Sequence, residues 1–327
     1  MNIIRFTSKC FFLLVLIMQV GCSDSDKSPE WDLCKEKPNC FLREYSIPTQ
    51  SISIDAALSI DEWLLDDTLV VCTTYKNAYC FYRLCVNNFH LVDSLGKRGS
   101  GPDEFIFPHI SSYSSGVYCV IDNGKNKSYF ITQDSITQIQ TKNQNILITA
   151  PQFINYPIIG HVEDLRSKKI WRKQNILTGE ILDSLCIEGV KGSAMSEDLY
   201  WSHFGDKVVL GFLNQNQFAI GTPDNAAMMH WTLFTGNTQT EKLYYSDVVC
   251  GEKCFYLLSQ QQVDMKKKSG HSMIEIYDMK GQPLACIDLD IIARRMLVDE
   301  KNRKIILLSP LDDDIHLGTL PCEQEIL

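Results

Sequence analysis

Leu91-Val92-Asp93-Ser94-Leu95 and Ile181-Leu182-Asp183-Ser184-Leu185 are near copies of each other, ninety positions apart in a chain of 327 residues. Between them stands Asp134-Ser135-Ile136, so the three Asp-Ser pairs are separated by 41 and 49 residues. Similar strand ends fall near Trp231 and at Ile287-Asp288-Leu289, and Ile52-Ser53-Ile54-Asp55 begins the series. Self-similarity at a step of about 45 residues marks an array, and the four-stranded blades of a propeller repeat at that length.

Between these marks lie short runs of β-branched and aromatic residues. Leu69–Tyr75, Tyr79–Val86, Val117–Asp122, Lys207–Leu213, Phe255–Ser259 and Lys304–Ser309 are each bounded by Gly, Asn, Asp, Ser or Lys. Such runs predict strands. Ile291–Leu297 is the one brief stretch with helical spacing. The expected fold is all-β, a six-bladed β-propeller of four-stranded antiparallel blades forming a single domain over residues 48–327. After Asp288 only three strand-like pieces remain: Met296–Asp299, Lys304–Ser309 and His316–Leu320. Ser51–Asp55 is therefore expected to supply the fourth strand and close the ring, which protects an otherwise open sheet edge. Six blades require about 46 residues each and seven about 40; the six strand ends favour six.

The first residues form an address. Arg5 and Lys9 precede the unbroken apolar run Cys10–Met18, which is too short to span a bilayer, so residues 1–21 read as a signal peptide. Val20-Gly21-Cys22 resembles the lipobox of bacterial lipoproteins, with Gln19 where that family prefers leucine. The resemblance implies Cys22 as the lipid-attachment residue, with residues 22–47 as lipidated N-terminus and linker. Ser23-Asp24-Ser25-Asp26-Lys27-Ser28 resembles the acidic export signal of surface lipoproteins in some Gram-negative bacteria, although a plain solvated tether reads the same way. The expected location is the cell envelope: an outer-membrane lipoprotein, exposed at the surface if the signal acts, with the membrane reached through the N-terminal lipid.

Gly96-Lys97-Arg98-Gly99-Ser100-Gly101-Pro102-Asp103-Glu104-Phe105, followed by Phe107-Pro108 and then Gly116–Asp122, resembles the blade-linking motif of TolB-like six-bladed propeller lipoproteins, and more distantly the NHL repeat. The match covers residues 93–131. Its glycines permit a sharp passage between blades, and Phe105 and Phe107 are expected to pack between neighbouring sheets. A phosphate loop is the competing reading, disfavoured because the order it requires is absent and no helix follows.

The balance of 31 basic against 40 acidic residues gives a net charge of −9, which lacks the basic footprint that nucleic acid demands. Of 13 cysteines, Cys34 with Cys40, and Cys250 with Cys254, are the candidate local bridges in an oxidising compartment. No catalytic residue, cofactor motif or metal-ligand spacing emerges. The seven histidines are scattered, Asp312-Asp313-Asp314 and Lys266-Lys267-Lys268 read as solvated turns, and Trp63, Trp171, Trp201 and Trp231 read as packing between blades before they read as a ligand funnel. Four Asp-Ser/Thr-apolar triplets, at Asp67, Asp93, Asp134 and Asp183, resemble an O-glycosylation sequon. The expected role is a non-catalytic binding or scaffold module for an envelope protein, peptide or glycan. An axial, metal-dependent lactonase, lyase or hydrolase is the alternative, and a structural subunit with a broad apolar face is the third reading.

Overall fold

A computed structural model describes residues 31–38, 40–54, 58–141, 148–165, 168–188, 198–225, 228–239, 242–264, 266–311 and 314–322. The signal peptide, Cys22, Asp55 and Asp312-Asp313 lie outside these residues. Among the described residues there is no helix, and so none long and apolar enough to cross a membrane.

Three strands precede the ring: β1 (Leu33–Glu36), β2 (Arg43–Ile47) and β3 (Gln50–Ile52). Blade 1 is β4 (Ile60–Asp66), β5 (Leu69–Thr74), β6 (Tyr79–Cys85) and β7 (Leu91–Arg98), with the short β8 (Glu104–Phe105) parallel to β7. Blade 2 is β9 (Pro108–Ser114), β10 (Val117–Asp122), β11 (Lys127–Ile131) and β12 (Ile136–Ile139). Blade 3 is β13 (Ile148–Asn155), β14 (Ile158–Leu165), β15 (Lys168–Asn175) and β16 (Ile181–Glu188). Blade 4 is β17 (Leu199–Phe204), β18 (Lys207–Phe212), β19 (Gln217–Pro223) and β20 (Met229–Thr235). Blade 5 is β21 (Tyr245–Cys250), β22 (Cys254–Ser259), β23 (Met273–Asp278) and β24 (Pro283–Leu289). Blade 6 is β25 (Arg295–Asp299), β26 (Lys304–Leu308) and β27 (Ile315–Thr319), completed by β3 from the N-terminus.

The first strands touch in cyclic order, β4 to β9, β13, β17, β21, β25 and back to β4, which closes a ring around an axis. The chain is a six-bladed β-propeller, joined as expected by pairing Ile52 with Ile315. The repeating strand ends seen in the sequence fall on, or just ahead of, the outer strand of each blade.

Burial explains why the second strands stand out as apolar runs. β5, β18 and β22 are covered on both faces by neighbouring sheets, so both sides of the pleat are apolar. The hydrophobic clusters accordingly lie between blades: Trp171 of blade 3, for example, meets Trp201 and Trp231 of blade 4 at ring distances of 6.0 and 5.1 Å.

The glycine-rich link joins blades 1 and 2. Gly96 has φ +63°, and a Cβ there would lie 2.8 Å from the Phe105 ring. Phe105 fills the seam between Phe81 and Tyr129. The Arg98 guanidinium donates to the carbonyls of Thr74, Asn77 and Ile106, and Asp122 accepts the amides of Ile106, Phe107 and Gly124, each at 2.9 Å. Phe107 departs from expectation. It is 57% exposed, because Asp122 holds its amide inward and the side chain turns to solvent.

Three further expectations are corrected. The linker expected over 22–47 is shorter, because β1 runs parallel to β20 and β2 parallel to β24 as fifth strands of blades 4 and 5. Residues 31–52 thus form a belt over the edges of blades 4, 5 and 6. At its centre Lys37, 5% exposed, lies 2.9 Å from Glu275 and donates to Asn216 at 3.0 Å. Secondly, both candidate cysteine bridges are open. Cys34 and Cys40 are exposed free thiols, and Cys250 faces Phe255 in the register, so Cys254 points to the other side of the sheet. Finally, Ile291–Leu297 is not helical. Its amides are taken elsewhere, Ala293 by the Ser272 hydroxyl and Met296 by Asp247, and Arg295 opens β25.

Candidate functional site

Every first strand begins on the same end of the ring, and the residues at those beginnings surround the axial mouth. A cleft of about 330 Å³ opens there, lined by Asp61 of blade 1, Tyr200 of blade 4, Ser246 and Gln260 of blade 5, and Arg294 and Arg295 of blade 6.

The polar side chains are held in place. Arg295 lies over the Tyr200 ring, 4.9 Å from its centre, and 3.8 Å from Asp247. Burial raises the Asp247 pKa, against the opposing pull of Arg295 and of the Met296 and Val248 amides. Burial also raises the Tyr200 phenol. Arg294 donates to the Ile60 carbonyl at 2.7 Å. Gln260 donates to Ser246 and to the Ala293 carbonyl at 2.8 and 2.7 Å, and accepts from Ser272 at 3.1 Å. The result is a mouth rich in oriented donors beside one aromatic face. Such a surface can bind and orient a polar ligand.

On the adjoining first strands, His109 Nδ1 lies 2.7 Å from Glu62. Burial disfavours the imidazolium, but the Glu62 hydrogen bond and charge outweigh it, so the His109 pKa is raised. A raised histidine pKa gives stability that is complete below the unfolded value near pH 6.5 and disappears as pH climbs through the higher folded value. Thermal unfolding should therefore lose more midpoint between about pH 6 and pH 9 in the native chain than in His109→Gln. Equal losses would show that the pair carries no coupling.

Most residues singled out from the sequence lie elsewhere. The tryptophans are inter-blade packing: Trp171, Trp201 and Trp231 between blades 3 and 4, and Trp63 against the cluster of blades 1 and 6. The histidines are not gathered; His161 is buried in blade 3 beside Glu163, and His230 is exposed on blade 4. Among the described residues no group of three or more His, Cys, Asp or Glu could hold a metal. Asp314 accepts from Ser51, and the Lys266–Lys268 tip is exposed. Of the sequon hydroxyls, Thr68, Ser135 and Ser184 are exposed and Ser94 is half-buried.

Sequence reasoning expected ligand binding at an axial mouth but did not name the residues that line it. Their signal is positional: Asp61, His109, Tyr200 and Ser246 are each the second residue of a first strand, and Arg295 is the first.

The architecture defines the class, six-bladed β-propellers. No family model matches the chain, and no curated protein does. Solved structures share the fold at low identity. A Bacteroides fragilis protein named as exported has 10% identity and a TM-score of 0.54, over 89% of this chain and 99% of its own. The β-propeller domain of Cps50 (Swd1) from Myceliophthora thermophila has 7% identity and a TM-score of 0.54, over 84% and 100%. Hsv2 of Kluyveromyces lactis has 10% identity and a TM-score of 0.52, over 81% and 76%.

Proposed function

We propose that the chain is a lipid-anchored binding module of the cell envelope, a non-catalytic TolB-like propeller lipoprotein that takes its ligand at the axial mouth. The observation that carries this reading is the cleft lined from four blades, with Arg295 laid over Tyr200 and the Gln260 amide fixed between Ser246 and Ala293. Its volume of about 330 Å³ is at the small end for ligand pockets, which suits one residue of a peptide or one sugar of a glycan. The donors at the mouth favour a carboxylate or carbonyl on that ligand. The signal-like Met1–Gly21 and the lipobox-like Val20-Gly21-Cys22 support export and anchoring at Cys22. The exported Bacteroides fragilis protein, which shares the fold, fits the same reading.

Calorimetric titration of the purified chain with a panel of envelope peptides and glycans tests it. Arg295→Ala is expected to weaken the binding found by about tenfold or more, the scale of one lost charge-assisted hydrogen bond, with an unfolding midpoint measured alongside. Binding indifferent to Arg295 sinks the mouth as the site. Steady turnover of a lactone, peptide or glycoside sinks the non-catalytic reading.

A further inference from the structure

We propose that the propeller docks on a zwitterionic lipid bilayer through the face opposite the axial mouth. Topology assigns each turn to a face. First strands run away from the mouth and second strands return, so the turns after first and third strands stand on the opposite face. Among the described residues, the large apolar side chains that stand exposed all lie at such turns or at strand ends beside them, except Leu33 and Leu42 of the belt, Phe107 and Leu311. Tyr113, Tyr156 and Phe204, 44%, 36% and 45% exposed, mark the ends of the first strands of blades 2, 3 and 4. Ile181 and Leu182 open the outer strand of blade 3, and Met228, 62% exposed, precedes that of blade 4. Blades 5 and 6 carry exposed Glu252, Lys253, Glu300 and Lys301 at the equivalent turns.

The rings are rigidly mounted. Tyr113 and Tyr156 meet at 5.6 Å, and both rest on Phe130, at 5.0 and 5.5 Å.

Two observations choose lipid over a folded partner. The N-terminal belt begins on this face: Asp32 accepts the Trp231 amide at 2.6 Å and lies 3.2 Å from His230, at the start of β20 in the blade that carries Phe204 and Met228. From Cys22 the nine residues to Trp31 reach about 30 Å at full extension, so an anchor there would keep this face close to the membrane. In addition, the apolar groups stand in small clusters at turn tips spread over four blades, with tyrosines among them. That suits a deformable headgroup layer, where tyrosine concentrates, better than a protein partner that needs one continuous complementary patch. With a net charge of −9 the chain is repelled by anionic lipid, which leaves zwitterionic headgroups.

The mature chain from residue 22, carrying Cys22→Ser so that no acyl chain can hold it, keeps every described residue and can be floated with phosphatidylcholine vesicles. It is expected to rise with them. Tyr113→Ser/Tyr156→Ser/Phe204→Ser should lower the bound fraction about tenfold, while Phe107→Ser/Leu311→Ser on the mouth face leaves it unchanged. Hydroxyl-radical footprinting of the unsubstituted protein guards against misfolding of the triple variant. Labelling of Phe204 and Met228 should fall on vesicles, and that of Phe107 should not. A chain that does not float, flotation retained by the triple variant, or equal protection of both faces overturns the proposal. So does vesicle indifference combined with capture of a protein by this face. Ligand binding at the mouth is read separately and is untouched by these outcomes.

Discussion

Lys37→Met is expected to destabilise the protein by about 3–5 kcal/mol, the cost of breaking a buried ion pair and leaving one charge uncompensated. Lys37 and Glu275 are 5% and 3% exposed and 2.9 Å apart. Glu275 also accepts from the Tyr245 and Tyr277 hydroxyls at 2.9 and 2.8 Å and from Gln261 at 3.0 Å, so with Lys37 four donors converge on one carboxylate. Without the ammonium, the buried negative charge keeps only neutral donors. Lys37→Met/Glu275→Gln removes that orphan charge and leaves the tyrosines an acceptor, so it should recover much of the loss. Chemical or thermal unfolding reads both effects. A single-variant change below about 1 kcal/mol would mean that the belt is seated by strand pairing alone.

Trp171→Ala should cost a similar amount, about 3–5 kcal/mol, because it empties the seam between blades 3 and 4. The side chain is fully buried and meets two further indoles edge-on. Propeller blades touch neighbours only through such seams, so the loss is expected to fall on the cooperativity of the whole ring. Trp171→Phe keeps an aromatic plug and, since the Trp171 indole nitrogen has no hydrogen-bond partner among the described residues, gives up no polar contact seen there; it should cost appreciably less. Equal losses in the two variants would place the indole's role outside packing. Unfolding midpoints followed by far-ultraviolet circular dichroism distinguish these results.

Much of the ring was legible in the sequence because burial on both faces writes an unbroken apolar run. Val117–Asp122 matches β10 residue for residue, and Lys304–Ser309 differs from β26 only by its last position. The outer strands were legible through their aspartates. Asp93 pairs with Arg83 on the neighbouring strand, and Asp183 accepts the Met229 amide of the next blade at 2.8 Å, so each aspartate ties its outer strand to a neighbour, by a different contact. The belt was hidden for the opposite reason. Leu33–Glu36 and most of Arg43–Ile47 are exposed, are bonded along one edge only, and carry no alternation to betray a strand. The mouth was hidden because closure, and not local pattern, assembles it. Asp61 and Arg295 come together only when blade 6 meets blade 1, across more than two hundred residues of chain that show no motif at either position.

The belt also dictates when the molecule can finish folding. Its strands are made first, yet Asp32 waits for Trp231, Thr49 for Asp290 and Ser51 for Asp314, separations of 199, 241 and 263 residues. At ribosomal rates of about 5–20 residues per second, β3 spends roughly ten to fifty seconds without its mate. Through that interval the nascent N-terminus and each newly made outer edge remain open to stray pairing, and their polar, short strands limit that hazard. Topology of this kind slows ring closure, and it ties the latched state to strands made long after the belt itself.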